Sequence, residues 1–417
     1  MLNYFSQTSL TEVRQSCTNM VAFNALHFLV FVWCAGGVLS APLCLAGDFD
    51  AQLQHILNTQ VVSAQDSARL ISCVLDDVRV TLSQRWQGFK LIPFGSLTSG
   101  LGTTSSDLDI SVHLPNSNIS SPSYVLEETK QLFQKQPALY SYLNSVKTPK
   151  FTRYSFIYIP TQRKVDLIFH LFMYGEEAIA TSKLLGYYFH LDERNLTLAR
   201  FLKYLLNIHG LVGTRDKLVS YTLYMLVIFY LQQKNMAPPV YVLQKDSKSV
   251  FVDDWDISFN ELPYKTTNTE SLHQVLSGFF KYYSEFNFEE YIVSPFTGRP
   301  IPRSVFIDVD SRAQEHFLNN YFNRTIQLKI GNNLKCTDLC IQAVFCLDAN
   351  NGEVVSHENA KKFKQFMESV TIMFEDLPSD SILRAILDVE TYKESINHNN
   401  STEDGNHEQN CIEVPDT

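Results

Sequence analysis

Basic charge is in short supply in this chain. Lys and Arg number 34 against 44 Asp and Glu, a net charge of −10. That balance excludes broad nonspecific adhesion to nucleic acid or to an anionic membrane, and it confines any polyanion-binding groove to a local patch. Cysteine is sparse as well, with eight spread thinly over 417 residues. A disulfide-stapled secreted scaffold is therefore excluded, and a reducing compartment is favoured. No internal repeat is present, which excludes a solenoid. Charge of either sign is missing from Gln15 to Gly47. Residues 20–47 are long enough to span a bilayer, and they read as a signal anchor or signal peptide, an organelle-targeting region or a buried segment. The preceding "MLNYFSQTSLTEVRQ" holds Arg14 alone and lacks the Arg-rich character of a transit peptide. A cytoplasmic location is favoured, with membrane-anchored or mitochondrial placement left open by residues 20–47. Lys and Arg are missing again after Ile396, where the polar, acidic composition reads as a disordered tail.

What remains is globular in composition: 45% apolar, 19% charged, and long enough for two or three domains. Apolar positions recur at three and four from Ala51 to Trp86, which predicts one long helical stretch. "YVLEETKQLFQKQ" predicts a helix with Leu126, Thr129 and Phe133 on one side. "RYSFIYIP" and "KVDLIFHLF" are strand-like runs joined at Pro160–Arg163, so they predict a hairpin. From Ser182 to Gln233 the pattern turns helical. The uncharged "LVSYTLYMLVIFYLQ" is short for a membrane span and reads as a buried core helix.

The chemistry concentrates in "FGSLTSGLGTTSSDLDISV", Phe94 to Val112. Leu108, Ile110 and Val112 alternate with Asp107, Asp109 and Ser111, the period of a strand with one apolar and one acidic face. Two like charges on one face repel unless a counter-charge is supplied. Asp166 lies on a second strand, opposite in face to Val165, Leu167 and Phe169. Pairing the two strands gathers three carboxylates at one point. Three hard oxygen donors suit Mg²⁺ or Mn²⁺. Gly95 and Ser96 suit close backbone approach to a phosphate and a hydroxyl bond to it.

Gly-Ser, ten residues, Asp-Leu-Asp and a distant Val-Asp-Leu together resemble the nucleotidyltransferase palm of the polymerase β superfamily. More narrowly, the chain resembles the template-independent poly(A) polymerase and terminal uridylyltransferase family. The likeness continues in "LARFLKYLL", "PPVYVLQ", "VDDWDISF", "VLSGFFKYYSEFNF" and "SPFTGRPI". It implies an α+β fold, a polymerase β-like palm at 49–180 and a mostly helical poly(A)-polymerase-associated domain at 181–376. These are flanked by the hydrophobic extension 1–48 and an acidic, disordered tail 377–417, and the active site is expected in the cleft between the two domains. The implied reaction is addition of UMP, or alternatively AMP, from UTP or ATP to an RNA 3′ end. Asp107, Asp109 and Asp166 would be both the metal ligands and the catalytic carboxylates. Ser96, Lys203 and Ser220 would reach the triphosphate, Tyr221 would stack on the base, and Ser182 would sit near the ribose. His357, in "SHENAKKF", is the candidate uracil reader.

Departures from the family pattern accompany these matches. Thr181 replaces a usual Asn, and Asn207 stands where a second lysine is common. "AVFC" at Ala343–Cys346 followed by "LDANNGEVV" replaces Asp-Pro-Phe-Glu. Bland readings stand beside the sharp ones: Lys203 as a solvated helix residue, Tyr221 as core packing, His357 as an ordinary surface imidazole. Cys336, Cys340, Cys346 and His357 are too irregularly spaced for a zinc set and read as buried thiols. Two other classes remain beside the RNA enzyme, a palm acting on a small molecule or protein and an inactive RNA-binding scaffold. With no separate RNA-binding module visible, an RNA-binding partner protein and short tails are expected.

Overall fold

The computed structural model describes residues 45–115, 121–147, 152–170, 174–214, 216–252, 254–307 and 334–388. The hydrophobic, membrane-length or targeting reading of residues up to 44 and the disordered-tail reading beyond 388 lie outside them. No helix among the described residues is long and apolar enough to cross a membrane. The chain divides into two compact units. One is Val61–Gly186; the other joins the helix before Val61 to residues from Tyr187 onward.

The expected single helix over Ala51–Trp86 is two, α1 (Phe49–Gln60) and α2 (Ala64–Ser83). The break has a local cause. Ser63 accepts the Asp66 backbone N–H at 3.0 Å and so caps α2, while Val61 bridges to Thr103. The two helices also part company in packing, since α1 belongs with the second unit. Phe49–Gln60 thus lies outside the compact unit Val61–Gly186.

The first unit is a five-stranded sheet backed by α2 and α3 (Pro122–Gln134). Its strands are β1 (Lys90–Phe94), β2 (Leu108–His113), β3 (Tyr140–Lys147), β4 (Thr152–Tyr158) and β5 (Arg163–His170), in the order β1-β2-β5-β4-β3. Only β2 and β5 are parallel. Leu108, Ile110 and Val112 of β2 and Val165, Leu167 and Phe169 of β5 are fully buried on the helix-covered face, with Val74, Val78, Leu82, Val125 and Phe133. Burying such side chains stabilises by roughly 1.5–3 kcal/mol each, and this fixes the register, because a one-residue slip would bury the carboxylates instead. The β4–β5 hairpin turns where expected, through a short 3₁₀ turn at Ile159–Thr161 and Gln162 at φ +53°. β3 had no sequence signal: "YSYLNSVK" is a largely exposed edge strand whose pairing shifts register between Ser141 and Asn144.

The second unit is mostly helical. The unit boundary falls within α4 (Tyr174–His190), after which come α5 (Glu193–Ile208), α6 (Ser220–Gln233), the short α7 (Val240–Gln244) and α8 (Leu272–Glu285). They are followed by the single turn α9 (Ser304–Ile307), then α10 (His357–Asp376) and α11 (Ile382–Leu387). α6 is buried on every side from Thr222 to Gln232, the core helix its composition required. Tyr283 and Tyr230 each bury a ring and donate the hydroxyl to a carbonyl, Leu226 at 2.6 Å and Val275 at 2.9 Å. Helix α11 corrects the disordered-tail reading over its six residues. Ile382, Leu383 and Ile386 are fully buried, and Gln52 of α1 donates to the Asp380 carbonyl at 2.6 Å. With helices and a mixed sheet in one chain, the fold is α+β.

A candidate nucleotidyltransferase site

The sheet register builds the first half of the site. Asp109 of β2 stands directly opposite Asp166 of β5, with Phe94 and Ser155 completing the row. Parallel pairing brings the two carboxylates to one face, as the alternation required. Asp166 is buried, and its Oδ1 has no hydrogen-bond partner among the described residues. Asp107 lies just before β2, more exposed, and hydrogen-bonds Lys164.

The electrostatics follow from that crowding. Burial, and then the charges of Asp166 and Asp107, push the Asp109 carboxyl up to about 7, against the pull of Lys164 and Arg153. Lys164 Nζ lies 3.6 Å from Asp166 Oδ2, and Arg153 Nη1 lies 3.6 Å from the same oxygen. Burial works against the Lys164 ammonium, but its hydrogen bond to Asp107 and the field of Asp166 outweigh it and hold its pKa above the ordinary lysine value. Among the described residues no three His, Cys, Asp or Glu close around one point as a metal cage. Two carboxylates are thus adjacent and the third is drawn to lysine, which is how like charges relax when a side-chain cation is the counter-charge at hand. An unpartnered buried carboxylate oxygen beside a carboxyl that resists ionisation fits a divalent cation.

The glycine of Gly-Ser is explained by space. Gly95 sits at φ +84°, and a Cβ there would lie 2.4 Å from Asp109 Oδ2. Ser182 of α4 holds this loop from the other side. Its Oγ accepts the Gly95 N–H at 2.8 Å and lies 3.1 Å from the Thr98 hydroxyl. Ser96 lends its carbonyl to the Leu101 N–H at 3.0 Å, which curls the loop back before the carboxylates. Arg163 then ties the approach to Asp107, donating to the Ser106 carbonyl at 3.0 Å.

The remaining candidates lie in the second unit. Lys203 is on α5, and Asn207 follows one turn later on the same face. Ser220 opens α6 with Tyr221 next, and both are half-buried. His357 opens α10, with an exposed side chain and Nδ1 3.2 Å from Asp338 Oδ2. The start of α10 is fastened to the stretch that leads into α6. Asp216 gives its carbonyl to the Ser356 N–H at 2.9 Å and to the Asn359 side chain at 2.8 Å, while Thr222 donates to the Asn351 carbonyl at 2.9 Å. The structure therefore links the Ser220–Tyr221 and His357 segments within this unit.

The segment that replaces Asp-Pro-Phe-Glu is folded around Asn350, whose Oδ1 accepts the Ile341 and Gly352 N–H groups and whose Nδ2 donates to the Lys335 carbonyl. Of the thiols expected to be buried, Cys340 is; Cys336 and Cys346 are only half-buried. Sequence reasoning missed Lys164, Arg153, Asp338 and Asn350. For Lys164 a signal existed, since it stands two before Asp166 on the same strand face. For Asp338 and Asn350 there was none, because their partners are set by loop conformation.

Comparison with known proteins agrees with this geometry. Residues 49–190 match the central palm domain of mitochondrial-like poly(A) RNA polymerase, and residues 271–347 match the Cid1 family poly A polymerase associated domain. The chain is 30% identical over 236 residues to human terminal uridylyltransferase 7, covering 51% of this chain and 15% of that protein. It is 22% identical over 347 residues to the zebrafish speckle targeted PIP5K1A-regulated poly(A) polymerase, covering 72% and 41%. It therefore spans less than half the length of either. A crystal structure of mtPAP in complex with UTP superposes with a TM-score of 0.67 at 19% identity, covering 84% of this chain and 72% of that one. A Mg-GTP-bound structure of the Cid1 poly(U) polymerase superposes with a TM-score of 0.62 at 20% identity, covering 79% and 96%. A palm model and a poly A polymerase associated-domain model thus match this chain in that order, and its fold is shared with both nucleotidyltransferase structures.

Proposed function

We propose that the chain adds nucleotides from a nucleoside triphosphate to RNA 3′ ends without a template. The observation that carries this reading is the side-by-side placement of Asp109 and Asp166 beside the tight Gly95 loop. Asp107, Asp109 and Asp166 would hold Mg²⁺ or Mn²⁺, which when bound lowers the pKa of the attacking hydroxyl and neutralises the pyrophosphate leaving group. The RNA 3′-hydroxyl attacks the α-phosphate, the bond to the β-phosphate breaks, and pyrophosphate leaves. Catalysis of this kind is mainly positioning and charge stabilisation. Gly95 and Ser96 take the triphosphate on backbone N–H and hydroxyl. Lys203 supplies one cationic contact, and Asn207, one turn on, supplies none. Ser220 contacts phosphate, Ser182 the ribose, and Tyr221 stacks on the base without choosing it.

UTP is favoured over ATP. What supports this is His357 held by Asp338, an imidazole placed at the start of a helix fastened to the Tyr221 segment. The test is an extension assay with a labelled single-stranded RNA, Mn²⁺ or Mg²⁺, and each triphosphate separately. Extension by UTP that shifts toward ATP in His357→Ala supports uridylylation. Unchanged preference in that variant removes the role of His357, and extension by ATP alone makes the protein a poly(A) polymerase. Folded protein that binds no triphosphate would favour the inactive scaffold.

A further inference from the structure

Two cations at the carboxylate face have no part in the reaction so far described. Lys164 precedes Asp166 by two residues on the same face of β5, and the β2–β5 register carries it to the level of Asp107. Its ammonium hydrogen-bonds Asp107 and lies 3.6 Å from Asp166 Oδ2. Arg153 reaches only the latter oxygen, at 3.6 Å. The Lys164 side chain is 44% exposed where that of Asp166 is 6% exposed. The amine therefore reaches the carboxylates from solvent on a flexible four-carbon stem and has room to leave. An ordinary surface ion pair uses one carboxylate and matters little. Here one amine contacts two of the three carboxylates assigned to the metal.

We propose that Lys164 is a resident counter-cation of the metal site, an assignment that rests on those three carboxylates being metal ligands. In metal-free protein it neutralises Asp107 and Asp166 and keeps them from splaying. On metal binding it withdraws, because cation and ammonium cannot share the same oxygens without repulsion. Lys164 thus sets the metal concentration at which the site loads, and it is a positioning residue rather than a catalytic one.

The test uses the full chain without nucleotide, following Mn²⁺ by its free-ion EPR signal and by thermal unfolding across an Mn²⁺ titration. Lys164→Gln should lower the metal-free Tm and bring the Mn²⁺ midpoint down about tenfold. Lys164→Arg, which keeps the charge and forks onto carboxylates, should bind Mn²⁺ no more tightly than the unmodified chain. Asp109→Asn should abolish the response. A lysine that is merely structural would lower Tm and leave the midpoint in place, which overturns the proposal while the Asp109-dependent response preserves the enzyme reading. A tighter-binding Lys164→Arg variant overturns it equally, and does so even if the Gln variant fails to fold. Mn²⁺ binding that is absent, or that survives Asp109→Asn, overturns both.

Discussion

Gly95 has no room for a side chain, because its backbone passes directly against the Asp109 carboxylate. Gly95→Ala would force a left-handed φ at a cost of about 1–2 kcal/mol and drive its Cβ onto Asp109. We expect lowered denaturant midpoint and near-complete loss of nucleotide addition. Stable, active protein would show that the loop does not press on the carboxylates. At this scale the sequence was informative about the palm. The adjacency of Asp109 and Asp166 and the tight Gly95 turn were legible because strand alternation and a glycine turn are local, whereas the expected closing of Asp107 onto the same point is not seen among the described residues. The neutralisation of the carboxylates by Lys164, and the link from Asp338 to His357, were not legible, since both depend on which loops fold against which strands. The link can be probed directly. Asp338→Ala should free the His357 imidazole and blunt any UTP preference severalfold, read as the ratio of kcat/KM for UTP and ATP. An unchanged ratio would mean that Asp338 does not orient a base-reading group.

The element that carries Lys203 is anchored by a clamp at its first turn. Asp192 caps α5 and pairs with Arg194 at 2.7 Å, and Arg194 also donates to the Asn268 side chain at 3.0 Å and to the Glu270 carbonyl at 2.5 Å. Hydrogen bonds from Arg194 hold the Asp192 carboxyl below its ordinary range, against the opposing effect of burial. An acid depressed in the folded state contributes stability above its unfolded pKa of about 4, and that contribution is lost as pH falls below it. Arg194→Ala should cost about 2 kcal/mol at pH 7 in urea unfolding, with the difference from the unmodified chain shrinking below pH 4. A difference independent of pH would mean that Arg194 acts through the 268–270 segment alone. Elements were legible where one face is apolar and the run is long, as in α6 and the β4–β5 hairpin. They were not legible where a cap interrupts a continuing helical period, as at Ser63, or where a register shift breaks the alternation of an edge strand, as in β3. Helix α11 was hidden for a third reason: six residues beside an acidic tail are too few for periodicity, and burial against α1 decides them.

Across the whole molecule, a net charge of −10 works against broad adhesion to a polyanion and confines phosphate contacts to a local patch. We expect short, distributive tails from the isolated protein, with extension falling steeply between 50 and 200 mM salt, a range over which phosphate-dependent binding weakens by orders of magnitude. Long processive tails at physiological salt would reveal an RNA grip that the described residues do not account for. The order palm then helical unit was readable from motifs along the chain. The assignment of α1 to the second unit was not, because a helix does not announce in sequence which apolar surface it will cover.

The measurement that bears most directly on the central claim is pyrophosphate release with concurrent elongation of a labelled single-stranded RNA, titrated with Mn²⁺. It compares the full chain with an Asp107→Ala, Asp109→Ala double variant shown by circular dichroism to be folded. The account predicts metal-dependent elongation matched one for one by pyrophosphate, and a fall of at least a thousandfold in the double variant. Elongation that persists in the double variant, or pyrophosphate released without any growth of the RNA, would contradict it.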